Sequence, residues 1–502
     1  MKVLFIYPNI IFKRRPLGLS HMGIGSLSAV LKKDGHRVSV LNIYKKINKK
    51  TFIERVVREK PDLLAFSATA NMFFHIEDFC KWLLQENLRF KTICGGVHAT
   101  LAPQEVIKTD GIDMVCIGEG EVALLELCSK LSQGEDITYI NNLWIKTGDG
   151  IRKNPVGPVL EDLDELPFPD RNVFNKFELT AESVGILPIT ASRGCLYNCV
   201  YCCNHALRDV YPNKDKYLRF RSPGNVVAEI KEILARDPSF TSIRFYDDIL
   251  YLNKTWVKEF TLLYKREISL PFSCNIRPEL VDEEMVSLLQ EAGCHMICMG
   301  IESGNDYIRN SILKRKINKD QIRGAFGLFE HTGMKVHVFN MVGIPFEKPS
   351  DVLETIKLNS EFSPDTFHVS ILYPFMGTEL YDVAKKEGFI TGRRAGSFFN
   401  DSRLKCPTIH RVHVVMFQRY FVIFVRLYSK LMRMPKTVSR VSTAMLDCML
   451  KSFIVALCLN SLHNVSYVLQ TGLNWAKKLI KQLPRHKSIF NRVLKYIFIR
   501  KT

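Results

Sequence analysis

Apolar residues along this chain fall first into short runs divided by helical-period stretches. KVLFIYP (2–8) is apolar and ends at a proline, the pattern of a buried strand. HMGIGSLSAVLKKDGH (21–36) follows with helical spacing and closes near Gly35; RVSVLNI (37–43) reads as the next strand. DLLAFSA (62–68), FKTICGG (90–96) and DMVCIG (113–118) continue the alternation. Five strands alternating with helices predict a doubly wound parallel Rossmann-like sheet over residues 1–145, with ligands at the strand carboxyl ends. Small-residue loops follow those ends: SATAN (67–71), GGVHAT (95–100) and GEGE (118–121).

An acidic, proline-bearing connector, LEDLDELPFPDRN (160–172), lies in a linker at 146–180, and the alternation then restarts. The expected strands are GILPITAS (185–192), SIRFYDD (242–248), PFSCNIR (271–277), HMICMGIES (295–303), KVHVFNMVGIP (335–345) and TFHVSILYP (366–374). Six β/α units over 181–390 predict a partial barrel with its chemistry at the carboxyl ends of the strands.

Charge divides the chain. Residues 401–502 carry 19 Lys and Arg against Asp401 and Asp447, whereas the first 400 residues hold 51 basic and 49 acidic. The excess of +19 therefore belongs to a basic, mostly helical carboxy-terminal region at 391–502. VVMFQRYFVIFVRLYSKLMRM (414–434) places Arg419, Arg426, Lys430 and Arg433 on one helical face. LNWAKKLIKQLPRHKSIFNRVLKYIFIRK (473–501) adds Trp475 and more cations. Two readings stay open: a helical cap with its basic side in water, or peripheral membrane contact. So much apolar surface disfavours nucleic acid. The opening run is too short for a signal peptide and no 18-residue apolar span occurs, so a cytoplasmic protein is expected.

Fourteen cysteines are mostly scattered, but SRGCLYNCVYCCN (192–204) holds four. Cys195, Cys199 and Cys202 form C-x3-C-x2-C after the first barrel strand. Three thiolates in one loop suit an iron–sulfur cluster with one iron left open better than a four-ligand structural zinc. Cys203 stands beside them as a spare thiol.

This loop, with Tyr201 in the aromatic position, resembles the radical S-adenosylmethionine (SAM) superfamily. The resemblance covers about 181–390. It implies a [4Fe-4S] cluster on Cys195, Cys199 and Cys202, and SAM contacts at Tyr201, Asp247, Asp248 and Glu302. GIPFE (343–347) and YPFMGTELY (373–381) resemble further turns of the family, with Phe346 and Met376 as departures. GGVHATLAPQEVI, IGEGEVALLEL and the linker resemble the cobalamin (B12)-binding branch. That implies cobalamin near Ser67, Thr69, Gly95, Gly96, His98 and Thr100; the D-x-H-x-x-G ligand motif is absent, so no histidine is expected on cobalt.

In this family one electron passed to SAM yields methionine and a 5′-deoxyadenosyl radical. C-methylation of an unactivated carbon in a small-molecule or lipid-like substrate is then expected, with a ferredoxin- or flavodoxin-type electron donor. The alternatives are cyclisation or oxidation on the same scaffold, and a non-catalytic cobalamin or metabolite sensor. A methylthiotransferase fits less well, because Cys80, Cys94, Cys116 and Cys128 fall on separate predicted elements.

Overall fold

The computed structural model describes residues 1–10, 21–392 and 402–463. The expected amino-terminal strands form as β1 (Lys2–Pro8), β2 (Arg37–Ile43), β3 (Leu63–Ser67), β4 (Lys91–Gly95) and β5 (Met114–Cys116), all parallel. The sheet continues past residue 145. A hairpin of β6 (Leu143–Thr147) and β7 (Gly150–Lys153) adds antiparallel to β5, giving the order β2-β1-β3-β4-β5-β6-β7. The outer strand β7 is exposed throughout and has no apolar face to announce it.

Helices cover both faces, as parallel strands require. On one side α1 (Met22–Lys33) delivers Ile24 and Leu31 to Val3, Phe5 and Ala65. On the other, α2 (Lys49–Glu59) and α3 (Phe73–Gln85) set Phe52 and Phe79 against Leu4, Ile6 and Phe66. The short helices α4 (Val97–Leu101) and α5 (Pro103–Lys108) replace the loop expected after Gly96. α6 (Glu121–Gln133) follows the GEGE turn.

The six barrel strands are β8 (Ile186–Ile189), β11 (Ser242–Phe245), β12 (Phe272–Ile276), β13 (Cys294–Glu302), β14 (Lys335–Val342) and β15 (Thr366–Ile371). They are parallel and consecutive, an open partial barrel. Between the first two lie a two-residue pair, β9 (Ser192–Arg193) and β10 (Arg219–Phe220), and the helices α7 (Cys203–Asp209) and α8 (Pro223–Arg236). The outer layer continues with α9 (Lys254–Glu267), α10 (Glu283–Glu291), α11 (Lys319–Phe329), α12 (Pro349–Phe362) and α13 (Glu379–Lys386). Leu187, Ile189, Ile243, Phe245, Ile297 and Met299 point outward into this helical core.

α14 (Arg411–Met432) buries Phe417, Phe421, Phe424 and Tyr428 against the β15 edge of the barrel. Arg426, Lys430 and Arg433 remain exposed and Arg419 is half-buried, so this helix behaves as a cap over an edge strand. α15 (Lys436–Lys451) follows it. The second basic stretch, 473–501, lies outside the described residues.

Candidate active site

The cysteine loop leaves β8 at the barrel mouth. Gly194 turns it with φ +93°, and a Cβ there would sit 2.4 Å from the Tyr217 carbonyl, so no side chain fits. Cys195 and Cys199 are buried and Cys202 half-buried. Cys202 caps α7, its sulfur accepting from the Asn204 amide at 3.5 Å. Arg277 Nη1 lies 3.3 Å from Cys199 Sγ, and its guanidinium rests 3.7 Å from the Tyr197 ring centre. Hydrogen-bond donors aimed at sulfur favour thiolates and tune iron–sulfur centres. Among the described residues no three His, Cys, Asp or Glu side chains converge as a single ion would need. The donor set, three sulfurs served by N–H groups and an arginine, suits a larger inorganic core. Cys203 opens α7 and is half-buried.

The four residues expected around SAM divide into different roles. Asp247 is buried and spent on the fold: its carboxylate accepts from Ala191 N at 2.9 Å and from Ser192 Oγ at 2.5 Å, tying β11 to the end of β8. That commitment argues against the expected ligand contact. Its neighbour Asp248 opens onto the mouth, facing Asn204 and the thiols of Cys195, Cys202 and Cys203. The surrounding wall, with help from Asp247, pushes its carboxyl up to about 6. Glu302 ends β13 in the left-handed region, φ +64°, 3.5 Å from Arg315 Nη1. Arg315 also donates to the Tyr201 hydroxyl at 2.7 Å and to the Gly300 carbonyl at 2.7 Å. A Cβ at Gly300 would stand 2.2 Å from Glu302 Oε1, which explains the glycine. Tyr201, Glu302 and Arg315 therefore form one buried wall. Burial pushes the Glu302 carboxyl up, against the pull of Arg315. Neither Arg277 nor Arg315 had a local sequence signal; each acts on partners far along the chain.

A cavity of about 380 Å³ separates the carboxyl ends of the first sheet from the cysteine-loop strand. Ser67, Gly95, Gly96 and Thr100 line it; Thr69 and His98 do not. Thr69 Oγ1 turns to Asn71. His98 is buried on α4 with its ring 4.6 Å from Phe73 and Nε2 toward Glu105, so both residues expected at cobalamin face away from this cavity. Gly96 serves the fold: a Cβ there would come 2.8 Å from the Ala68 carbonyl. His21, not expected here, lines the cavity. It is neutral, burial pushing it down to about 4; Nδ1 accepts from Ile24 N and Nε2 meets Ser67 Oγ at 2.9 Å. Both ring nitrogens are engaged. Ala65, Gly95, Gly118 and Gly120 make a low floor facing Leu207 and Tyr217 across the gap. A broad, flat, largely apolar ligand with a polar rim suits that floor.

The two domains are pinned at this cavity. Glu119 pairs with Arg193 at 3.1 Å and Arg219 at 2.8 Å, and Glu121 pairs with Arg193 at 2.7 Å. The GEGE turn is thus a docking element as well as a cavity wall.

Comparison with known proteins agrees with this geometry. The B12 binding domain family matches residues 9–128 and the Radical SAM superfamily matches 189–358. An uncharacterized methyltransferase of Pyrococcus horikoshii is 27% identical over 372 residues, 74% of this chain and 78% of the relative. An anaerobic magnesium-protoporphyrin IX monomethyl ester cyclase of Rubrivivax gelatinosus is 24% identical over 399 residues, 76% of this chain and 69% of the relative. The structure of the radical S-adenosylmethionine methyltransferase TsrM of Kitasatospora setae, with cobalamin and a [4Fe-4S] cluster bound, shares the fold. It aligns with TM-score 0.61 at 16% identity, over 78% of this chain and 76% of TsrM. The chain belongs to the radical SAM enzymes that carry an amino-terminal B12-binding domain, and those two domains imply a [4Fe-4S] cluster, SAM and cobalamin as its cofactors.

Proposed function

We propose that this B12-binding radical SAM enzyme transfers a methyl group to an unactivated carbon of a small-molecule or lipid-like substrate. The observation that carries the reading is the shared cavity: the sheet's glycine floor and the strand entering the cysteine loop line one space. Cys195, Cys199 and Cys202 would hold the cluster, and Asp248 with the Tyr201–Glu302–Arg315 wall would hold SAM. Ser67, Gly95, Gly96 and Thr100 would border cobalamin. When bound, these groups supply one-electron chemistry and methyl carriage. The protein's own part is placement: the Arg193, Arg219, Glu119 and Glu121 ion pairs fix one domain over the other at the cavity. A small one-electron carrier of the ferredoxin or flavodoxin type would feed the site.

The experiment is anaerobic reconstitution with reductant, SAM labelled in its methyl group, and candidate substrates. Label in a product heavier by one CH2 supports the proposal. A product that has lost hydrogen without gaining carbon would favour a ring-forming reaction, which the cyclase relative's name brings into view. Absence of 5′-deoxyadenosine would favour a sensor.

A second reading concerns place of work. Among the described residues no single helix is long and apolar enough to cross a membrane. Yet α15 and the helical stretch 453–463 expose Val438, Val441, Met445, Met449, Ile454 and Leu457 beside Lys436, Arg440 and Lys451. An apolar stripe bordered by cations supports peripheral contact with an anionic lipid surface.

A further inference from the structure

Deeper in the barrel, roughly 13 Å along the chain from Asp248 and Glu302, the concave face carries a polar cluster with no role in the scheme above. Ile243, Phe245, Val336 and Val338 turn outward into the helical core. Strand alternation therefore sends Arg244, Tyr246, His337 and Phe339 inward. The register sets Cys298 between Asn275 and His337, and His368 beside Phe339. The contacts agree. Arg244 Nη2 donates to Asn275 Oδ1, and the guanidinium lies over the Tyr246 ring and against the Cys298 thiol. The Phe339 ring centre is 4.9 Å from that of His337 and 5.6 Å from that of His368.

What distinguishes this cluster is an arginine without an acid. Arg193, Arg219, Arg221, Arg277, Arg309 and Arg315 each pair with a carboxylate. Arg244 pairs with none among the described residues, and its Nη1 is buried without a hydrogen-bond partner. A buried N–H left open marks a place for a ligand or water. Most titratable groups around it are cationic or neutral. Burial, with His368 and Arg244, pushes His337 down to about 4, so its ring is neutral; Thr366 Oγ1 takes Nδ1 at 2.7 Å and leaves Nε2 open. His295 and Lys335 lie at the same end, and Glu182 acts on the neighbouring Tyr246 hydroxyl rather than forming an ion pair with the guanidinium.

We propose that this part of the lumen binds the substrate through an oxyanion, a carboxylate or a phosphate-type group, anchored on Arg244 with Asn275, His337 and His368 as its polar walls. The inference rests on the reading that the barrel houses the reaction, and it adds the substrate's chemical class. A planar guanidinium with a free edge is the side chain best shaped for such a group. The aromatic flank of Tyr246 and Phe339 would leave the remainder of the substrate in apolar contact, pointing up the barrel toward Asp248.

The test is calorimetric titration of the reconstituted full chain with inorganic phosphate and, separately, with acetate. One saturable site is expected for the wild type; the tighter probe identifies the oxyanion. Arg244→Gln should weaken binding at least tenfold and Arg244→Lys should recover part of it. Arg323→Gln, on the outer surface, should change nothing. Should Arg244→Gln misfold, as thermal melting would reveal, His337→Phe provides the second reading and should also weaken binding. Equal affinity of both probes for wild type and a folded Arg244→Gln would overturn the proposal. The titration needs no turnover, so a failure of methyl transfer leaves it standing, and its own failure leaves the methylation reading intact.

Discussion

Arg193 reaches across the domain boundary to Glu121, Nη2 to Oε1 at 2.7 Å, two residues before the first cysteine of the loop. Glu121 is buried, so removing its cation strands a carboxylate in the interface. Arg193→Met should cost about 1.5–3 kcal/mol, the range for hydrogen bonds to charged groups. Thermal unfolding should register it, together with faster proteolysis of the 154–185 connector. A variant that melts and resists protease like the wild type would show that the ion pairs do not hold the domains together.

Asp247 and Asp248 are adjacent and should behave oppositely. Asp247→Ala leaves the Ala191 amide and the Ser192 hydroxyl without their acceptor and should destabilise by about 2–4 kcal/mol. Asp248→Asn, at the open mouth, should leave unfolding within about 0.5 kcal/mol but weaken SAM binding measured by equilibrium dialysis. SAM binding unchanged by Asp248→Asn would remove that residue from the site.

Much of this architecture was legible in the sequence, for identifiable reasons. The central parallel strands β1 and β3 are buried almost throughout, so runs such as KVLFIYP and DLLAFSA stand out from amphipathic helices. The cysteine triad was legible because its three thiols lie in one loop. What escaped was long-range or locally silent. Arg193 meets Glu119 and Glu121, and Arg315 meets Tyr201, across separations that spacing does not encode. β7 has no buried face. His98 and Thr69 lay in the right segment, but helix α4 turned one inward and Asn71 captured the other. Arg244, His337 and His368 did leave a trace, as polar residues alternating with apolar ones inside IRFY, KVHVF and TFHVS.

Glu347 gives a pH signature away from the cysteines. It is fully buried, accepts from Gly343 N at 2.7 Å and Ile344 N at 3.2 Å, and has Oε1 without a partner. Burial pushes its carboxyl up to about 8, from an ordinary value of 4.5. The folded state then holds the proton more tightly than the unfolded state. Its contribution to stability is full below the unfolded value and is lost as pH rises through the folded one. Unfolding free energy should fall between pH 5 and 8 by up to about 1.4 kcal/mol per unit. Glu347→Gln, which keeps an acceptor and cannot ionise, should flatten that slope and be more stable than wild type at pH 8. Chemical denaturation across that range checks it; a slope unchanged in the variant would assign the dependence elsewhere.

Phe346 holds φ +66° in the turn after β14, where the related family turn has glycine. Its ring packs edge-on against Phe389 at 5.4 Å. Phe346→Ala and Phe346→Gly both lose the ring, but only glycine also relieves the backbone. Glycine should therefore be the more stable of the two by about 1 kcal/mol, reversing the usual order. Urea unfolding of the pair decides; alanine equal to or above glycine would mean the left-handed conformation is not imposed on the loop.

The stripe on α15 makes the last prediction. Val438, Val441, Met445 and Met449 recur at helical spacing and are each about half exposed or more. Asp447, the acid of that helix, is turned away, bonded to Lys357 at 2.6 Å and to the Tyr428 hydroxyl at 2.5 Å. The outward side thus carries apolar residues and the cations Lys436, Arg440 and Lys451 without a compensating acid among the described residues. Each cation near an anionic leaflet is worth about 1 kcal/mol, and buried methylenes add to it. The full chain should float with vesicles containing phosphatidylserine, less well with phosphatidylcholine alone, and less as salt rises. Met445→Glu with Met449→Glu should cut flotation more than tenfold while leaving the melting temperature unchanged, since both side chains already face solvent. Equal flotation of wild type and double variant would return this helix to the status of an outer cap.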